Sequence, residues 1–311
     1  MNETWLMPTF DTLRLRITEG IMAFPATPFL QDGALDRRRQ GEHVALLAQH
    51  QPTALVAAGG AGEVFSLTLE EHEQVVRTTV QHANGVPVIG GAAYGTLMAC
   101  EMARAVERAG GDAVLLLPPY LVHSEQEGLF RHIRAVCNAV SIAVIPYSRD
   151  NAVITPDTMV RLADACPNII ALKDGTGDLA GVAELKKLAG DRLAIVNGAP
   201  TAEVLAPQFQ QLGVQSYSSA IFTFLPRLAR HFFEALRSGD QALVRTMLDE
   251  FYTPVVELRH RKHGYSVSIV KAGLRIVGQA AGPVRPPLLD FEPEEEALLA
   301  NLVTRSAQWN R

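Results

Sequence analysis

The chain has 311 residues, of which 48% are hydrophobic and 20% charged, with a formal net charge of −5. That length and composition suit one large α/β domain with an appendix, or two domains, with a sizeable core; the charge balance excludes a broadly basic nucleic-acid surface. No apolar run reaches the about 18 residues of a membrane helix, so neither nucleic acid nor membrane is expected as a partner.

The cysteines Cys100, Cys137 and Cys166 fit no metal or CxxC spacing and read as reduced structural thiols. Met1 to Trp5 carries no basic region leading into an apolar run, so no secretory signal is apparent and a cytoplasmic location is expected. The basic runs Arg37–Arg39 and Arg259–Lys262 read as solvated helix faces or helix ends.

A repeating pattern starts with the apolar stretch Gly20 to Phe29, followed by a helix over Asp36 to His50 with Asp36 as its cap. Ala54 to Gly59 is a strand, and Thr68 opens a helix to Ala83 with Glu71 completing a capping box. Pro87 to Gly91 is a strand, followed by a helix from Thr96 to Ala109. Ala113 to Leu117 is a strand, followed by a helix from Ser124 to Val140. Ile142 to Ile145 leads to Pro146 and Tyr147, with a helix after Thr155. Ile169 to Asp174 is the next strand, and a helix runs from Asp178 to Ala189. Leu193 to Val196 and Gly213 to Tyr217 are the last strands, with helices from Thr201 and from near Thr223 to Arg237. Eight strand-then-helix units predict a (β/α)8 barrel, a TIM barrel; the competing doubly wound sheet needs a glycine-rich turn where Pro25 to Pro28 stands. Beyond Gly239 the strand pattern stops. Asp240 to Lys262, Ser266 to Ala280 and Glu292 to Arg305 read as helices. The expected division is a barrel with a short N-terminal segment over 1–238 and a C-terminal helical appendix over 239–311.

In such a barrel the chemistry sits at the C-terminal ends of the strands. Those ends carry Thr27, Gly60, Ala61, Glu63, Tyr120, Tyr147, Arg149, Lys173, Asn197, Gly198, Ser218 and Ser219. Lys173 closes a strand of hydrocarbon, where desolvation favours the neutral amine, and a neutral amine attacks ketones to give Schiff bases. The other reading of Lys173 is a strand cap paired with Asp174. Tyr147 is either an acid/base group or a rim aromatic. Gly60, Ala61, Ser218 and Ser219 either offer donors to a carboxylate or shape tight turns, and Asn197 and Gly198 either touch substrate or form a turn. Arg149 pairs either with a substrate carboxylate or with Asp150, and Glu63 reads as a structural acceptor for its loop. No histidine is at the rim, and the set is poor in metal ligands.

Residues 17–305 resemble the dihydrodipicolinate synthase / N-acetylneuraminate lyase superfamily, whose members carry a Gly-[Ser/Thr]-Thr-Gly-Glu loop, a catalytic tyrosine and a Schiff-base lysine at Gly59–Glu63, Tyr147 and Lys173. Six motifs are most similar to the branch that dehydrates and decarboxylates 5-dehydro-4-deoxyglucarate: Gly62–Thr68, Pro118–Leu121, Tyr147–Ala152, Leu172–Asp178, Asn197–Thr201 and Tyr217–Phe222. The resemblance implies a lyase that yields 2,5-dioxopentanoate, CO2 and water through a lysine Schiff base in sugar-diacid catabolism. It implies no organic cofactor or metal, a keto sugar diacid as substrate, and a homodimer or homotetramer. Ala61 stands where a threonine is common, and Leu121 stands where the synthase branch has a tyrosine. Three other readings stay open: an aldolase acting on a 2-keto-3-deoxy sugar acid, a pyruvate-condensing synthase, and a non-catalytic keto-acid-binding protein.

Overall fold

The computed structural model describes residues 9–279 and 281–310. Met1 to Trp5 and the expected helix end at Ala280 lie outside the described residues. Eight parallel strands form the centre: β1 (Glu19–Ala23), β2 (Ala54–Ala57), β3 (Val88–Ala92), β4 (Ala113–Leu116), β5 (Ala143–Ser148), β6 (Ala171–Asp174), β7 (Ala194–Asn197) and β8 (Gln215–Ser219). They pair in chain order, and β8 returns to β1 to close the barrel. The fold is therefore the expected (β/α)8 barrel. Around it run α2 (Arg37–Gln49), α3 (Leu69–His82), α4 (Thr96–Arg108), α5 (Gln126–Cys137), α6 (Pro156–Ala165), α7 (Leu179–Ala189), α8 (Ala206–Gln211) and α9 (Pro226–Ser238), with α1 (Phe10–Thr18) ahead of β1.

Strands buried on both faces split their side chains by the period of two. Met22, Phe24, Ala54, Val56, Leu115, Ile145 and Tyr147 fill the barrel interior, whereas Ile21, Ala23, Leu55, Val114, Val144 and Leu172 meet the helix layer. The sequence pattern left α1 unassigned. Its Leu13 and Ile17, one turn apart, are buried against the interior cluster.

The caps form as the sequence implies. Asp36 accepts from the Arg39 amide at 3.0 Å, and Thr68 and Glu71 satisfy each other's amides at 3.1 and 3.0 Å. Two helix starts differ. Helix α4 is capped by Gly95, because the Thr96 hydroxyl is hydrogen-bonded to His132, and α5 begins at Gln126 rather than Ser124. The expected helix from Thr201 is a single 3-10 turn at Ala202–Val204 before α8.

After α9 come α10 (Gln241–Met247), a π turn (Leu248–Tyr252), α11 (Thr253–Arg259), α12 (Tyr265–Ile276) and α13 (Pro293–Arg305). No helix among the described residues is long and apolar enough to cross a membrane. The C-terminal segment grips the loop that follows β2. Lys271 Nζ lies 2.7 Å from Glu63 Oε1, with both side chains fully buried, and also donates to the Pro283 carbonyl at 2.7 Å. The Arg285 amide donates to the other Glu63 oxygen at 3.0 Å, and its guanidinium chelates Glu71. Phe29 sits between the two cations, each 4.1 Å from its ring.

Removing one member of a buried pair strands the other charge. Lys271→Met is expected to cost about 3–5 kcal/mol in urea unfolding, and adding Glu63→Gln should recover much of that. A single-variant loss under about 1 kcal/mol would show that Glu63 does not depend on this lysine.

Candidate active site

Strands β5 and β6 place Tyr147 directly opposite Lys173. Both point into the barrel, one residue before the strands end. The Lys173 side chain lies over the Tyr147 ring, with Nζ 3.4 Å from the ring centroid and 5.5 Å from that of Phe24. Nζ donates to the Gly198 carbonyl at 3.4 Å, and the Tyr147 hydroxyl donates to the same oxygen at 2.7 Å. Gly198 has to lack a side chain: a Cβ there would lie 2.6 Å from both Cγ and Nζ of Lys173.

Lys173 is 3% exposed. Burial pushes its pKa well below the usual lysine value, the nearby Arg149 charge adds to that, and Asp174 opposes it. Asp174 is not its ion-pair partner. That carboxylate faces the helix layer and accepts from Thr176 Oγ1 at 2.7 Å and the Gly177 amide at 3.0 Å. The Tyr147 pKa is raised, chiefly by burial and against the pull of Arg149, so the phenol keeps its proton at neutral pH. Arg149 Nη1 donates to the Tyr147 oxygen at 3.1 Å, and its Nε pairs with Asp150 at 2.6 Å.

The loop after β2 supplies the opposite wall. Its Ala61 packs against the interior cluster, and a Cβ at Gly60 would meet nothing within 4 Å. The Gly60 carbonyl accepts from the Glu63 amide at 3.1 Å, and Thr27 Oγ1 donates to the Gly62 carbonyl at 2.6 Å, so the turn is fixed from below. Glu63 is the structural acceptor expected of it.

The remaining expected positions divide by strand parity. Ser218, in register with Met22, faces inward, and its hydroxyl reaches the Asn197 carbonyl at 3.5 Å. Ser219 corrects the sequence reading. It is fully buried on the helix side, where its hydroxyl donates to Glu203 and accepts from the Phe222 amide. The Asn197 side chain also turns outward, giving Nδ2 to the Ala202 carbonyl at 2.9 Å and taking the Ala199 amide at 3.1 Å, so its amide shapes the loop that begins at Gly198. Sequence reasoning missed Phe24, which the alternation of β1 implies, and Arg259. The latter is 8% exposed, against the expected solvated helix end.

The chain matches the model of the dihydrodipicolinate synthetase family over residues 17–306. The protein belongs to this family. It is 50% identical over 291 residues to a probable 5-dehydro-4-deoxyglucarate dehydratase of Rhizobium rhizogenes, a match that spans 94% of this chain and 96% of the relative. It is equally similar, 50% over 289 residues, to a protein of that name from Saccharopolyspora erythraea, covering 93% and 94% of the two chains. Among solved structures, dihydrodipicolinate synthase from Bacillus clausii superposes with a TM-score of 0.87 at 28% identity, covering 95% of this chain and 99% of that one. The resemblance to the dehydratase branch thus extends over nearly the whole length, and the protein is an enzyme of the lyase class.

A lysine held neutral binds fewer protons folded than unfolded, so it makes stability rise with pH between its lowered folded pKa and about 10.4. Lys173→Met removes that linkage. The variant should melt higher than the parent, by a margin that widens as pH falls from about 10 toward the lowered pKa. Equal melting temperatures across that range would mean that Lys173 is not desolvated.

Proposed function

We propose that the enzyme is a decarboxylating dehydratase that converts 5-dehydro-4-deoxyglucarate to 2,5-dioxopentanoate, CO2 and water through a Schiff base on Lys173. The observation that carries this reading is the buried Lys173 amine stacked on Tyr147 at the C-terminal mouth of the barrel. The relatives at 50% identity that carry the name 5-dehydro-4-deoxyglucarate dehydratase support this choice of substrate.

In this mechanism the neutral Nζ adds to the ketone carbon next to the proximal carboxylate. The Tyr147 proton assists loss of the carbinolamine oxygen as water, leaving an iminium. The iminium acidifies the neighbouring CH2, and loss of its proton gives an enamine. The enamine expels the β-hydroxyl, which leaves as water on taking up a proton. The resulting conjugated iminium accepts the electron pair of the distal carbon–carboxylate bond as CO2 departs. The carbon left behind keeps its hydroxyl as an enol and tautomerises to the aldehyde, and hydrolysis of the imine frees Lys173. The amides of Gly60 and Ala61, with Ser218, hold the proximal carboxylate. Gly198 supplies the carbonyl that orients Lys173 and Tyr147, Asn197 and Ser219 hold the loops behind it, and Arg149 supports the Tyr147 oxygen.

We place the enzyme in the cytoplasm, in the breakdown of sugar diacids. We further propose that it works as a homodimer or homotetramer. The exposed apolar side chains Leu97, Tyr120, Leu121 and Val122 beside the barrel mouth suit burial against a second copy.

Incubation with 5-dehydro-4-deoxyglucarate, borohydride reduction and intact-mass and peptide analysis test the chemistry. The expected adduct lies on Lys173 and is lighter than one carrying the whole substrate by water and CO2. A pyruvate-sized adduct would mean an aldolase, and an unmodified Lys173 would sink the Schiff-base reading. Tyr147→Phe should lower kcat by ~10²–10⁴ with the fold retained; an unchanged kcat would reduce Tyr147 to a rim aromatic.

A further inference from the structure

Arg259, at the end of α11, is 8% exposed and makes no ion pair with a carboxylate among the described residues. One of its nitrogens donates to the Thr201 hydroxyl, and another is 2.8 Å from the ring Nε2 of its neighbour His260. Thr201 lies in the loop after β7, three residues beyond Gly198, whose carbonyl receives both Lys173 and Tyr147. The guanidinium is thus nearly buried behind the wall of the candidate site, anchored to the loop that carries the central carbonyl.

Its electrostatic surroundings leave it short of negative charge. Arg149 bears a second positive charge whose field reaches Arg259 and, after burial, disfavours its protonation. The acid that opposes them is Glu203. One Glu203 oxygen accepts from Ser219, the other meets no donor among the described residues, and burial raises its pKa to about 7, so it is only partly ionised at neutral pH. Asp150 is already paired with Arg149. Arg259 thus feels the charge of Arg149 while holding no ion-paired acid of its own among the described residues. Buried charges are ordinarily paired, and the planar fork of arginine suits a carboxylate with two bonds.

We propose that Arg259 is the binding residue for the distal carboxylate of the substrate, and so selects keto diacids over keto monoacids. The inference rests on the reading of the substrate as a keto sugar diacid. With the proximal carboxylate on the Gly60–Ala61 turn and the ketone at Lys173, the far end of a six-carbon chain extends toward the Thr201 loop. The incoming carboxylate supplies the counter-charge that Glu203 only partly provides. Arg259 acts on binding and orientation and takes no part in moving protons.

The test uses two six-carbon 2-oxo acids that differ only at the far end, 2-oxoadipate with a carboxylate and 2-oxohexanoate with a methyl. Both are titrated calorimetrically into the full-length protein. The parent should bind the diacid at least about tenfold more tightly, the scale of a charge-assisted bidentate contact. Arg259→Met should abolish that preference by weakening only the diacid. Arg259→Lys, which keeps the charge and the packing stem, should retain part of it and covers the case in which the methionine variant does not fold. No preference in the parent, or a preference unchanged in these variants, overturns the assignment. Titration reads binding without requiring an imine. If borohydride fixes neither acid on Lys173 while the Arg259-dependent preference stands, the Schiff-base reading fails and the diacid site survives.

Discussion

The Lys173 amine is 3.4 Å from the Gly198 carbonyl and 3.4 Å from the centre of the Tyr147 ring, at 3% exposure. Holding a lysine there constrains its neighbours. Strand β5 must present an aromatic ring in register with it, and the residue just after β7, Gly198, must lack a side chain. The adjacent carboxylate, Asp174, must face away, since a salt bridge would hold the proton on the amine. Asp174 does so because strand parity sends residue 174 outward when residue 173 points inward, and the Thr176–Gly177 turn then occupies both of its oxygens. The low proton affinity of Lys173 is thus a consequence of barrel geometry as much as of composition.

The segment beyond α9 shapes both walls of the mouth. On one side Lys271 and Arg285 bind Glu63 and Glu71, which follow the Gly60–Ala61 turn in the chain. On the other, Arg259 reaches Thr201 in the loop of Gly198. The contacts differ in kind. Lys271 and Glu63 neutralise each other inside the protein, so that pair serves rigidity. Among the described residues Arg259 has no carboxylate partner, which is the basis for proposing that a ligand supplies one.

The barrel was legible because most of its strands are buried on both faces and so stand out as short apolar runs, with glycine or proline marking where they stop; β8, Gln215–Ser219, is the polar exception. Helix starts were legible where a side-chain oxygen is left to accept the helix amide, as at Asp36 and Thr68, and misplaced at Thr96, whose hydroxyl is spent on His132. Lys173 and Tyr147 could be placed from their strand ends alone. The residues around them depended on contacts that no local pattern carries. Ser218 and Ser219 look equivalent in sequence, yet they lie on opposite faces of β8. Arg259 was concealed in a basic run that resembles a solvated helix end, because its burial is set by the β7 loop more than fifty residues earlier in the chain.

Ala61 raises the question of how a proton moves when the hydroxyl common at that position in the superfamily is a methyl. A relay lets a tyrosine pass its proton outward. Here the Tyr147 oxygen instead takes a hydrogen bond from Arg149, and a guanidinium stabilises a transient phenolate in place. That arrangement suits the proposed reaction. Forming the enamine releases one proton from the substrate, and expelling the β-hydroxyl as water consumes one at the neighbouring carbon. The two demands cancel within the bound molecule, so a single acid/base group that lends and recovers a proton is enough. A chain of hydroxyls leading to solvent is needed only when the proton balance between substrate and bulk water is uneven, which the dehydration step avoids.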